Sequence, residues 1–175
     1  MLLDSNSAKK NLGILLHPSS LPGGSYCGTF GDSIKNWINS LAKYKINTWQ
    51  FLPLSPTDSM GSPYSSPSSF ALNPWFLDIS ELINNKYILK SNFSEEIMPS
   101  EEELDSFEFS IADKLSKNIG KLLLESWDYQ SLDIKYEFSN WCEKNKWVED
   151  YSIFMVLKEK FDMSAWWNWP KEFRD

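Results

Sequence analysis

Histidine is almost missing from this sequence, with His17 the only one, and cysteine is scarce, with Cys27 and Cys142 far apart and outside any CxxC spacing. A Cys/His zinc site is therefore excluded, and no metal or cofactor is implied. Two thiols suit a reducing compartment, so a cytoplasmic location is expected. Basic residues are outnumbered: 17 Lys and Arg face 24 Asp and Glu, a net charge of −7, and no basic stripe occurs. Nucleic acid is excluded as a partner, because phosphate recognition needs a basic footprint. The same sign is unsuited to an anionic membrane surface. No apolar run reaches the length of a membrane span, and the polar stretch from Met1 to Lys10 lacks a signal-peptide core.

What is present is an ordinary amount of core-forming material with an excess of rings. The 175 residues are 42% hydrophobic and 15% aromatic, and nine are Trp. The length is that of about one domain. Most of the rings are expected to pack in the core; the rest offer stacking surfaces for flat ligands.

Leu12–His17 is a short apolar run that Pro18 ends, which reads as a buried strand. A glycine-rich loop runs from Pro22 to Gly31. Asp32 or Ser33 then caps a helix whose stripe is Ile34, Trp37, Ile38, Leu41 and Ala42, fading near Tyr44. Thr48–Leu52 reads as a second strand, stopped by Pro53. Strand–helix–strand with short joints predicts two parallel neighbours with the helix on one face. Loops that follow such strands gather at the carboxyl edge, where α/β folds place their sites. The loop after the second strand is long, and Tyr64, Phe70, Leu72 and Trp75 argue that it is ordered. Seven acids and no bases between residues 91 and 110 read as a solvated connector. Ile111, Leu115, Ile119, Leu122 and Trp127 predict a helix, and residues 132–161 a second helical region.

Three stretches together resemble one family. They are Gly13-Ile14-Leu15-Leu16-His17-Pro18-Ser19-Ser20-Leu21-Pro22-Gly23-Gly24; Trp49-Gln50-Phe51-Leu52-Pro53-Leu54-Ser55-Pro56-Thr57 with Gly61-Ser62-Pro63-Tyr64-Ser65-Ser66 and Asn73-Pro74; and Trp147-Val148-Glu149-Asp150-Tyr151 with Phe154–Lys158 and the terminal Trp-Trp-x-Trp-Pro. In order and spacing they are similar to the amylomaltases, or 4-α-glucanotransferases, from about Asn11 to Asp175. That resemblance implies an α/β fold: the first two strands of a (β/α)₈ TIM barrel in residues 1–80, then a mostly helical insertion subdomain in 81–175. A barrel needs eight strands, so these residues are not expected to close one alone. The implied activity is transfer of an α-1,4-glucan segment to the 4-hydroxyl of an acceptor sugar, with malto-oligosaccharides as partners.

Retaining glycosyl transfer takes two carboxyl groups about 5–5.5 Å apart. The resemblance places both on later barrel strands, so no catalytic residue is expected here. Asp32, Asp58 and Asp78 are acids at caps or loops, and the 175-residue chain is expected to be inactive by itself. The substrate-binding residues that the resemblance implies are Ser62 and Tyr64, from the Ser-Pro-Tyr segment, joined by His17, Ser19 and Ser20 at the first strand's end. Tyr64 either lies against a sugar face or anchors its loop. Ser19 and Ser20 either line the site or shape the turn. Two departures stand out. Relatives often carry Asp before Ser-Pro-Tyr, where this chain has Gly61. Those known for large-ring products carry an accessory-site Tyr where this chain has Ser59. A non-catalytic glucan-binding module or an inactive fragment is the alternative reading.

Overall fold

In the computed structural model, residues 11–58, 60–104 and 108–174 are described. Ser59, the position aligned with the accessory-site tyrosine, lies outside them. The described residues divide into two compact units, one running to Asp128 and one from Tyr129.

The first unit opens with strand β1 (Gly13–Leu15), helix α1 (Asp32–Lys43) and strand β2 (Thr48–Gln50). The strands are parallel, with Gly13 opposite Thr48, Ile14 opposite Trp49 and Leu15 opposite Gln50. Both strands are shorter than the apolar runs that predict them. One further bond, Leu16 N–H to the Gln50 carbonyl at 3.0 Å, extends the pairing; beyond it Pro18 and Pro53 have no N–H to donate. The stripe of α1 meets the sheet through Trp37, whose ring lies edge-on to Trp49 at 6.2 Å. Trp49 in turn donates its indole N–H to the Leu16 carbonyl at 2.8 Å, which ties one strand to the end of the other. The expected cap of α1 is not made. Gly31 occupies the N-cap position with no side-chain bond, Asp32 sits in the first turn, and Ser33 is buried. There Asp32 still complements the helix dipole.

Most of the core of this unit lies away from the sheet. Helix α2 (Ile79–Asn84) and the long helix α4 (Phe109–Trp127) supply it. Ile79, Ile88, Leu115, Ile119 and Leu122 form a buried cluster, with Tyr26, Leu77, Phe93, Ile97 and Met98 packed around it. The acidic stretch thus gives more than a connector. It contains 3₁₀ turns at Lys90–Asn92 and Glu95–Ile97 and the single-turn helix α3 (Glu101–Leu104). Glu95, Glu96, Glu101 and Glu102 are exposed, while Phe93, Ile97 and Met98 pack against the cluster. On the sheet, by contrast, Leu12, Leu15 and Phe51 are exposed.

In the second unit the region expected to be helical breaks in two, α5 (Leu132–Lys144) and α6 (Trp147–Lys160), at Asn145. The Asn145 side chain donates to the Trp141 carbonyl at 2.8 Å, replacing a helical bond and ending α5. After a 3₁₀ turn at Trp166–Asn168 comes the one-turn helix α7 (Lys171–Arg174). Trp169 is buried between the rings of Phe154 and Phe161, at 5.6 and 5.5 Å. It is the only one of the nine tryptophans that is fully buried, so fewer rings serve as core than composition suggests.

Candidate functional site

Two loops leave the carboxyl ends of β1 and β2, and the residues that the resemblance singles out lie on them. Directly after β1 the chain makes a 3₁₀ turn, Pro18–Ser20, with His17 at its N-cap. His17 Nδ1 accepts from the Ser19 N–H at 3.4 Å and meets the Ser19 hydroxyl at 2.7 Å, while Nε2 faces the Pro53 carbonyl at 3.4 Å. These partners are satisfied by a neutral ring with its proton on Nε2. The ring also leans on Phe76 at 5.7 Å. Ser20 is exposed, and its N–H closes the turn on the His17 carbonyl at 3.0 Å. The Ser19 carbonyl accepts from Gly28 at 3.0 Å. Gly28 is the only residue type that fits there, because a Cβ would collide with the Pro18 carbonyl and the Leu21 side chain.

Burial holds His17 below its ordinary pKa of 6.5, partly offset by its bond to Pro53. The fold therefore favours the neutral ring. Stability resting on that preference is fully present above the unfolded value near 6.5 and is lost as pH falls through the lower folded value. We expect an NMR titration of the His17 ring to show a midpoint below 6.5, and the loss of melting temperature between pH 6.5 and 5 to shrink in H17Q. A midpoint at or above 6.5 would contradict the arrangement.

In the described residues of the second loop, the large apolar side chains are not buried. Tyr64, Phe70 and Leu72 are all exposed, Tyr64 by 75%. Polar bonds hold it instead. Asp58 accepts from the Met60 and Ser62 N–H groups at 3.0 and 2.9 Å, which keeps its carboxyl below the usual range, Ser62 first and Met60 next. Farther on, the Ser68 hydroxyl accepts from the Phe70 and Ala71 N–H groups, each at 3.1 Å, and Asn73 N–H returns to the Leu54 carbonyl at 2.8 Å. Gly61 has a φ of +74°, in the left-handed region that favours glycine.

Beneath both loops runs segment 73–78. Asn73 caps the 3₁₀ turn Pro74–Phe76 through the Trp75 N–H at 3.1 Å. Phe30 N–H donates to the Phe76 carbonyl at 2.8 Å, and the two rings stack at 5.0 Å. The buried Thr29 hydroxyl donates to Asp78 at 2.5 Å, while Asp78 also accepts from Glu81 N–H and caps α2. Lys35 of α1 pairs with Glu81.

The structure thus joins His17 and Ser19 directly, with Ser20 in the same turn. Ser62 and Tyr64 stand on the second loop, held by a separate set of bonds. Sequence reasoning missed Asp58 as the organiser of that loop, although Asp followed at short range by Ser, Gly and Ser is a turn signature. It also missed the Thr29–Asp78 bond, which spans 49 residues and has no local signal. Among the described residues no helix is long and apolar enough to cross a membrane.

Parallel strands joined by a helix, with long polar loops at their carboxyl ends, define an α/β protein with its candidate site on that edge. A sequence profile described as 4-alpha-glucanotransferase matches residues 16–175, and the chain belongs to that family. It is 35% identical over 162 residues to the 4-alpha-glucanotransferase of Clostridium butyricum, an overlap that covers 91% of this chain and 32% of that protein. The Synechocystis 4-alpha-glucanotransferase is 32% identical over 165 residues, covering 94% and 32%. Among solved structures, an amylomaltase from Streptococcus agalactiae in complex with acarbose superposes with a TM-score of 0.67 at 27% identity, covering 93% of this chain and 32% of that one. The chain therefore spans about a third of the length of these relatives, corresponding to an N-terminal portion of them.

Proposed function

We propose that this chain is the glucan-gripping N-terminal part of a 4-α-glucanotransferase, an enzyme that moves a segment of an α-1,4-glucan to the 4-hydroxyl of an acceptor sugar. Residues 1–80 are read as the first strands of a (β/α)₈ barrel with their substrate loops, and 81–175 as a mostly helical insertion. The observation that carries the reading is the family match over residues 16–175, within which Ser62-Pro63-Tyr64 stands on an exposed, hydrogen-bonded loop at the strand edge. An exposed phenol offers a flat apolar face to a pyranose ring, and in this reading the Ser62 hydroxyl pairs with sugar hydroxyls. His17, Ser19 and Ser20 line the neighbouring turn; in this reading the neutral His17 ring positions the turn and presents its surface to the same ligand. The nucleophile and the acid/base belong to other strands of the barrel.

Acarbose is a suitable probe. Titrated into the ¹⁵N-labelled chain, it is expected to shift amides at 17–20 and 60–66. Tyr64→Ala is expected to weaken binding about two- to tenfold, taking a ring-stacking contact as the scale. Shifts confined to other parts of the chain, or none at millimolar sugar, would overturn the assignment.

A further inference from the structure

We propose that Phe109, in the first turn of α4, is a positioning residue for the Ser62-Pro63-Tyr64 loop. One face of its ring stacks on Trp75, with centroids 5.4 Å apart and planes within 9°. Its edge meets the loop backbone at Gly61: a Cβ built there would lie 2.5, 2.6 and 2.7 Å from Phe109 Cε2, Cζ and Cδ2. Real Cβ atoms are not found so close, so the ring and the loop are in contact only because residue 61 has no side chain. The start of α4 is fixed at two more points. The Tyr26 hydroxyl, from the loop after β1, donates to the Glu108 carbonyl at 2.7 Å. Asp113, one turn beyond Phe109, accepts the Trp75 indole N–H at 2.7 Å.

The first turn of α4 is therefore a strut. It reaches the loop after β1, the segment beneath both loops, and the loop that carries Ser62 and Tyr64. Asp58 holds that last loop from within; Phe109 holds it from a different element. Phe109 is itself half exposed, so its ring adds less to the buried core than to the placement of what it touches. The consequence for sugar binding rests on the function proposed above, whereas the mechanical claim does not.

The two are separated by measuring hydrogen exchange and acarbose affinity on the same 175-residue variants. In F109A, amides of residues 60–62 and 64–66 are expected to exchange about two- to tenfold faster, the ratio that a lost ring contact produces. Amides at the centre of α4 (115–122) should be unchanged, and F109Y, which keeps the ring, should match the parent. Asn is the residue that best tolerates a positive φ after glycine. G61N should therefore loosen the loop more in the parent, where its Cβ also meets the ring, than in the F109A background, where only the strain of the positive φ remains. An unchanged loop in F109A, a uniform acceleration through α4 and the strands, or additive effects of the two substitutions would each overturn the proposal. If F109A loosens the loop and also weakens acarbose, both inferences stand. If it loosens the loop and the parent binds no acarbose, the strut stands and the sugar-binding assignment falls.

Discussion

Incubated with maltotriose, the 175-residue polypeptide is expected to release no glucose above a buffer control. Retaining transfer depends on one carboxylate attacking as another protonates the leaving oxygen, across about 5–5.5 Å. The acids at the candidate edge are engaged otherwise. Asp58 accepts two backbone N–H groups and is held below the usual carboxylate range, the reverse of what a general acid requires. Asp78 is occupied by Thr29 and by the cap of α2. Asp32 lies in the first turn of α1, 3.9 Å from Lys35. Enzymes of this kind supply roughly a millionfold acceleration or more, so the contrast is all or none. Glucose release that disappears in D58N or D78N would refute the expectation and place the chemistry on these loops.

Replacing Ile119 with alanine is expected to lower stability by about 2–5 kcal/mol, the range for truncating a buried Ile. Ile119 is 2% exposed at the centre of the cluster between α2 and α4. Leu15→Ala, on the strand, removes a side chain that is 62% exposed and should change stability by about 0.5 kcal/mol or less. A typical domain holds only about 5–15 kcal/mol in total, so I119A alone could unfold much of the first unit. Urea unfolding of the two variants measures both. The opposite ranking would mean that the sheet, and not the α2–α4 pair, is the stability centre.

That ranking also marks where the sequence is legible and where it is not. The stripe Ile34, Trp37, Ile38, Leu41 and Ala42 has one periodicity, and the helix it predicts, Ser33 to Tyr44, differs from α1 by a residue at each end. Parallel pairing of the strands follows from strand–helix–strand spacing, because short joints leave little other geometry. Apolar runs overstate ladders, however: hydrophobicity persists to Leu16 and Leu52, while hydrogen bonding needs donors that Pro18 and Pro53 lack. The core was harder to read. Leu12 and Leu15 look as buried as Ile119 by composition, and only tertiary context distinguishes them. Asn145, which splits α5 from α6, carries a weak breaker signal inside a strongly apolar pattern. At the candidate site, recognition rested on short motifs, whereas the bonds that place them join residues dozens of positions apart. Thr29–Asp78 and Trp75–Asp113 leave no trace in local pattern.

Segment 73–78 has a further consequence for a chain made one residue at a time. It bonds backward to Cys27 and Thr29, 48 and 49 residues earlier, and forward to Asp113, 38 residues later. Closing such long loops costs only logarithmically more than closing short ones, so the backward contacts need not wait for the forward ones. At about 5–20 residues per second, the stretch from Asp78 to Phe109 takes roughly 2–6 seconds to synthesise. Throughout that interval the face of Trp75 destined for Phe109 has no partner ring, and the floor under the two loops is only half assembled. A nascent chain paused there would display an indole where the finished one displays a strut, which makes Trp75 a natural reporter of the order in which this edge is built.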